Sequence, residues 1–284
     1  MSSSRRPIAL LYALCQIALI LSAPPEAHSH PSADTRLRAV DRQLSETPSA
    51  NLYVERGKAN LQAGRWQEAL GDADRALTLH PGLIDALLLR AEVRYTAGEV
   101  DQALTAVDAL LAAQPQSAAG HHLRARVLRE LGRLAEAEIE YDSFIDGERQ
   151  ALPDHYIERA DVQAAAGRLD AAVSGIDAGL TRLGMIATLQ LKAVDLEVRR
   201  GNFNGAVGRL DRLLERSPRQ VFWLVRRAEV LAAAGNVDES RATFESARAL
   251  LPSPTRVGAL RELQERIDVG LSSLPVEIVH GDAK

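Results

Sequence analysis

Cysteine is almost absent from this 284-residue chain, with Cys15 the single instance. A mature chain cut downstream of Cys15 holds no thiol, which excludes disulfides, a cysteine nucleophile and a thiolate metal site. Lysine is nearly as scarce, present only at Lys58, Lys192 and Lys284, and no run of five basic residues occurs. At a formal net charge of −4 the chain lacks the basic footprint that phosphates require, so nucleic acid is not expected as a partner. Aromatic residues make up 4% of the sequence against 46% hydrophobic residues, mostly alanine, leucine and valine, a balance that excludes a β-rich class and favours helix. Also missing are a Ser-His-Asp order, an HExxH pair, a Walker-type glycine loop and a dinucleotide fingerprint. Catalysis and a cofactor are therefore not expected.

What the N-terminus does have is Arg5 and Arg6, an apolar run over residues 8–21 (IALLYALCQIALIL), and then SAPPEA. This order reads as a signal peptide over residues 1–27. The run is shorter than the roughly 20 residues that span a bilayer, and Gln16 interrupts it. Export is expected, to the periplasm of a bacterium. A cut after Ala27 leaves His28-Ser29-His30 at the new terminus. A free amine with histidine third suits Cu(II) or Ni(II) in a square of nitrogens, so metal binding by His28 and His30 is an alternative reading. An uncleaved helix gives a third, a membrane-tethered assembly factor.

The interior is organised by repetition. Gly64, Gly98, Gly132, Gly167, Gly201 and Gly235 are spaced 34, 34, 35, 34 and 34 residues apart. Apolar residues at three- and four-residue spacing occupy residues 52–61 before the first glycine and 66–79 after it, so each unit reads as helix, short turn, helix. The glycine stands where the first helix must stop, in a position suited to positive φ. Pro81, Pro115, Pro218 and Pro252 close four units, and the other two connect through residues 147–153 and through Gly184. Ala69, Ala103, Ala137, Ala172, Ala206 and Ser240 stand where helices must approach closely, beside larger residues such as Trp66, Leu134 and Phe203 that fill the wedge.

Two charges recur once per unit. Asp41, Asp74, Asp108, Asp142, Asp177, Asp211 and Glu245 hold one position, and Arg56, Arg90, Arg124, Arg159 and Arg227 another. Opposite charges in phase predict an inter-repeat ion-pair ladder rather than a catalytic set. His121 and His122 are adjacent on a helix and diverge by about 100°, so they read as polar surface rather than a metal pair.

Small residues at the eighth position (Gly57, Ala91, Ala125, Ala160 and Ala228), alanine at the twentieth and proline at the thirty-second resemble the tetratricopeptide repeat. In the fifth unit Lys192-Ala193 come one residue early relative to Gly201. The resemblance implies an all-α, right-handed solenoid of six helix-turn-helix repeats over residues 50–252. Half-units flank it: a leader and N-terminal capping helix within 28–49, a C-terminal capping helix over 253–270, and a flexible tail over 271–284. It also implies that the first helices line a concave groove for a protein or peptide partner. The groove positions are Val54, Leu88, His122, Ile157 and Val225 at the fifth place and Lys58, Glu92, Arg126, Asp161 and Glu229 at the ninth, with Tyr95 and Phe222 beside them. The fifth-place stripe is mainly apolar, so the expected partner is an apolar or amphipathic segment.

Overall fold

Each first helix ends in the same way, because one glycine in every unit takes a backbone conformation that other residues resist. In a computed structural model, which describes residues 33–251 and 258–275, Gly64, Gly98, Gly132, Gly167, Gly201 and Gly235 all have φ between 71° and 79°. The N–H after each glycine then reaches a carbonyl five residues back: Arg65 to Asn60, Glu99 to Arg94, Arg133 to Leu128, Arg168 to Gln163, Asn202 to Glu197 and Asn236 to Leu231, at 2.8–3.0 Å. Orphan carbonyls at the helix end are thereby satisfied while the chain reverses.

Among the described residues there are fourteen helices and no strand, the pattern of a helical-repeat solenoid. They are α1 (Ala33–Glu46), α2 (Ala50–Gln62), α3 (Trp66–Leu79), α4 (Ile84–Thr96), α5 (Val100–Ala113), α6 (Ala118–Glu130) and α7 (Leu134–Gly147). There follow α8 (Pro153–Ala165), α9 (Leu169–Leu183), α10 (Ala187–Arg199), α11 (Phe203–Leu214), α12 (Gln220–Ala233), α13 (Val237–Ala249) and α14 (Gly258–Ser273). The chain forms two compact units that meet within α4, Met1–Leu89 and Arg90–Lys284. In the first, α1 packs on α2 and α2 on α3. In the second, each helix from α5 to α14 packs on its successor, and first helices also touch first helices, α8 on α10 and α12 on α14.

Close approach is bought with small side chains. Ala69, Ala103, Ala137, Ala172, Ala206 and Ser240 are fully buried, and the Ser240 hydroxyl donates to the Ala228 carbonyl at 2.8 Å. A Cβ on Gly57 would come 2.6 Å from Leu89 Cδ2 and 3.3 Å from the Ala69 carbonyl, so any side chain there has to displace Leu89. The larger residues beside them are half-buried, and Trp66 is exposed.

The two connections without a closing proline are held differently. Gly184 takes φ 86° after α9. Arg182, two residues earlier, reaches back across the preceding connection and donates to the carbonyls of Ile145, Glu148 and Arg149 at 3.1, 2.6 and 3.3 Å. One guanidinium thus satisfies the carbonyls that the longer loop leaves open.

Two details differ from expectation. The fifth unit keeps the glycine register, since Asn202 closes on Glu197 like its counterparts, so Ala193 and Val194 stand at the seventh and eighth positions. The C-terminal helix runs through Ser273, and Leu274 is buried, because Ile267, Leu271 and Leu274 continue one apolar stripe toward Phe244. The flexible tail therefore does not begin at Leu271. The signal-like run, Cys15, His28 and His30 lie outside the described residues, as do residues 276–284.

Replacing Gly132 by alanine introduces no clash, since nothing lies within 4 Å of the new Cβ. The left-handed backbone alone costs about 1 kcal/mol, and a denaturant midpoint lowered by that amount with unchanged slope is the expected result; an unchanged midpoint removes the closure from the stability of the array.

Candidate partner-binding face

The recurring arginines stand at a three-way junction. From the seventh position of a first helix, Arg56, Arg124, Arg159 and Arg227 each reach the preceding second helix and the second helix of their own unit. Arg56 bonds Asp41 at 2.9 Å and Asp72 at 2.5 Å. Arg124 bonds Asp108 at 2.7 Å and Glu140 at 2.6 Å. Arg159 bonds Asp142 at 2.9 Å and the Gly175 carbonyl at 3.3 Å, and Gly175 leaves room for it, because a Cβ there would sit 3.0 Å from the guanidinium. Arg227 bonds Asp211 at 2.8 Å and Thr243 at 3.1 Å. The second partner is sixteen residues on in every case. In the second unit Ala106 fills that place, and it offers Arg90 no side-chain acceptor.

The fifth unit inverts the arrangement. Ala193 occupies the seventh position, and Arg209, sixteen residues on, supplies the guanidinium from the opposite helix. It holds Asp177 at 2.7 Å and 2.8 Å and approaches the buried Glu197 at 3.4 Å. Arg200 and Asn202 complete the Glu197 shell at 2.6 and 2.8 Å.

A second series of pairs runs along the first helices themselves. In the second compact unit the Tyr95 hydroxyl donates to Glu130, His122 meets Glu158 at 2.6 Å, Lys192 pairs with Asp161, and Arg226 pairs with Asp195 and with Glu229 at 3.1 Å. Arg266 from α14 closes on Glu229 at 2.9 and 2.8 Å. In the first unit Lys58 lies 3.6 Å from Asp85. Burial, and then the hydrogen bond to Glu130, push the Tyr95 phenol up. Burial opposes ionisation of Glu158, yet the His122 hydrogen bond and the nearby Arg126 and Arg129 hold it below the usual carboxylate range.

The expected groove residues divide between this face and the core. Val54 is 5% exposed and Val225 is 0% exposed, packed with Phe244 and Ile267. Leu88, His122 and Ile157 are half-buried, and Ile157 packs on the Phe144 and Tyr156 cluster. The fifth-place stripe is therefore largely a seam between helices. Lys58 and Asp161 are exposed, while Glu92, Tyr95, Arg126 and Glu229 are half-buried. Phe222 faces elsewhere, into a cleft of about 510 Å³ between α12 and α14 lined also by Val221, Leu250, Leu260 and Leu263.

Both central histidines are tied down rather than free at the surface. His121 lies between Glu140 at 2.6 Å and the Pro115 carbonyl at 2.9 Å. His122 stacks on Phe144 at 4.5 Å, and His155 meets the same ring edge-on at 4.6 Å. His155 Nδ1 accepts the Leu152 N–H at 3.1 Å and so caps α8. Sequence spacing gave no sign of this cluster, which joins side chains from three helices. Among the described residues no group of three or more histidine, cysteine or acidic side chains is placed to hold a metal.

Three models of the tetratricopeptide repeat match this sequence, one over residues 60–127, one over 31–84 and 191–253, and one over 118–138 and 153–174. The chain belongs to the tetratricopeptide repeat family. Its repeats are similar to part of sperm-associated antigen 1 of Rattus norvegicus, 48% identical over 50 residues, or 18% of this chain and 6% of that protein. The chain thus matches only a small fraction of that relative's length. Among solved structures, a tetratricopeptide repeat protein from Parabacteroides merdae is 18% identical, with a TM-score of 0.53 over 83% of this chain and 92% of that one. YrrB, a tetratricopeptide repeat protein with an unusual peptide-binding site, is 12% identical with a TM-score of 0.50, covering 68% of this chain and 97% of that one. At such identities these two likenesses concern the fold.

Two tests follow from the geometry. Arg124→Ala leaves the mostly buried Glu140 with His121 alone and should lower stability by about 1–3 kcal/mol, and Arg209→Ala, which frees Asp177 while Arg200 and Asn202 keep Glu197 paired, by about 1–2 kcal/mol; equal stability of both variants and wild type in denaturant melts would refute the junction.

The second test concerns pH. Burial, and then the neighbouring His122, hold His155 below its ordinary value, against the opposing pull of Glu158, Glu148 and Asp154. A histidine depressed in the folded state binds fewer protons there than when unfolded, so its contribution is present above about pH 6.5 and fades as pH falls through the folded value. His155→Gln should flatten that part of the stability profile. A profile of the same slope in wild type and variant assigns the loss to other groups.

Proposed function

We propose that this chain is a non-catalytic scaffold that binds a segment of another protein along the first-helix face of its second compact unit. The observation that carries the reading is the line of half-buried and exposed side chains on successive first helices, Tyr95 on α4, His122 and Arg126 on α6, and Asp161 on α8. Inter-repeat contacts hold these groups in place, Glu130 for Tyr95, Glu158 for His122, Lys192 for Asp161 and the Tyr95 ring for Arg126, so little side-chain order has to be gained on binding. Family membership supports a protein or peptide as the ligand. Burial of Val54 and Val225 moves the chemistry of the partner away from a purely apolar segment and toward one that also offers polar groups.

The site of action proposed is the exported compartment, on the strength of Arg5, Arg6 and the apolar run over residues 8–21. Sequencing the mature N-terminus separates a cleaved scaffold from a tethered one, and a chain starting at His28 keeps Cu(II) or Ni(II) binding open to titration.

A photo-crosslinking residue placed at Tyr95 or at Asp161 in the full chain should trap one partner in cells, and the same residue at Ile139, an exposed second-helix position, should not. Trapping from Ile139 with none from the face would place binding on the opposite side.

A further inference from the structure

The connection over residues 147–153 lies in the single 35-residue step of the repeat, and side chains hold it at both ends. At its start Arg182 of α9 donates to the carbonyls of Ile145, Glu148 and Arg149, and the Glu148 carboxylate takes the Gln150 N–H at 2.9 Å. At its end His155 Nδ1 takes the Leu152 N–H at 3.1 Å. A guanidinium keeps its charge across the whole working range of pH. An imidazole does not. His155 stands in the first turn of α8, three residues after Leu152, at the place from which a glutamate or glutamine ordinarily returns to take the N–H at a helix entry. Histidine does this only while Nδ1 is bare. A proton there turns the acceptor into a donor facing another donor, and it sets a cation at the positive end of the helix dipole.

The surroundings sharpen the choice. His122 of α6 lies 5.1 Å from His155, ring centre to ring centre, and both imidazoles pack on Phe144 of α7. His122 engages Glu158 at 2.6 Å, and Arg126 and Arg129 of α6 face the same carboxylate. Burial, and then His122, work against a charged His155, and they prevail over the pull of Glu158, Glu148 and Asp154. We infer that His155 is a pH-sensitive latch: on mild acidification the α8 end of this connection lets go of Leu152, while the Arg182 end and the rest of the array stay in place. The helix entries capped by Ser49, Ser117 and Asn202 use groups that do not titrate, so acid singles out the entry to α8. The latch works in the free chain and does not depend on a partner.

The experiment is amide hydrogen exchange of the full chain at about pH 7.5 and about pH 5.5, either side of the ordinary histidine value, with each rate referred to its intrinsic one. Protection of the Leu152 amide should fall about fivefold on acidification, the loss expected of one helix cap. Protection of the Asn202 amide, which closes a glycine turn without a histidine, should stay constant. His155→Gln keeps an acceptor in the same place with no proton to gain, so its Leu152 amide should be equally protected at both pH values. Unchanged Leu152 protection in wild type, the same fall in His155→Gln, or a parallel fall at Asn202 overturns the latch. Where His155→Gln leaves Leu152 unprotected throughout, nitrogen NMR of the wild-type imidazoles decides: protonation of His155 Nδ1 and loss of Leu152 protection at one shared midpoint support the latch, and separate midpoints overturn it.

Discussion

The whole array depends on reversing the chain within two residues at the end of every first helix. A right-handed helix followed at once by its antiparallel neighbour leaves carbonyls unpaired, and a residue at φ near 75° lets the following N–H turn back to one of them. Once the reversal is fixed, the two helices cross at alanines with no exposed surface, and their remaining apolar sides have only the next pair to cover them. The six glycines set the phase of everything else. Alanines, junction arginines and face residues recur at constant offsets from them.

The junctions show what stacking requires beyond apolar contact. A helix pair leaves polar groups on the second helix near the seam, and a planar, many-donor cation satisfies two helices at once. The position from which that cation comes is free to vary. Arg124 enters from a first helix and Arg209 from a second, and in each case the opposite position holds what the cation needs: a carboxylate at Glu140, a missing side chain at Gly175, a small one at Ala193.

Periodicity made the fold legible, because glycine, alanine and proline each act through local geometry that spacing reveals. The Arg and Asp pairing was legible for the same reason. Fifth-place burial was not: Val225 and Leu88 look alike in sequence, yet Val225 is sealed by Phe244 and Ile267, residues far along the chain. The early Lys192-Ala193 in the fifth unit was visible as a departure, but its compensation by Arg209 lies on another helix and has no local signature. His122, Phe144 and His155 came together only through the packing of α6, α7 and α8.

Because each junction arginine draws its first partner from the preceding unit, the bond belongs to the seam and not to either repeat. A repeat cut out and inserted elsewhere would carry half a seam at each end. Most units would accept such a move, presenting arginine upstream and aspartate downstream. The fifth would accept it too: Arg209 on its second helix reaches Asp177 upstream past Ala193, and its Asp211 takes Arg227 from downstream. The seam is thus kept whichever helix supplies the cation.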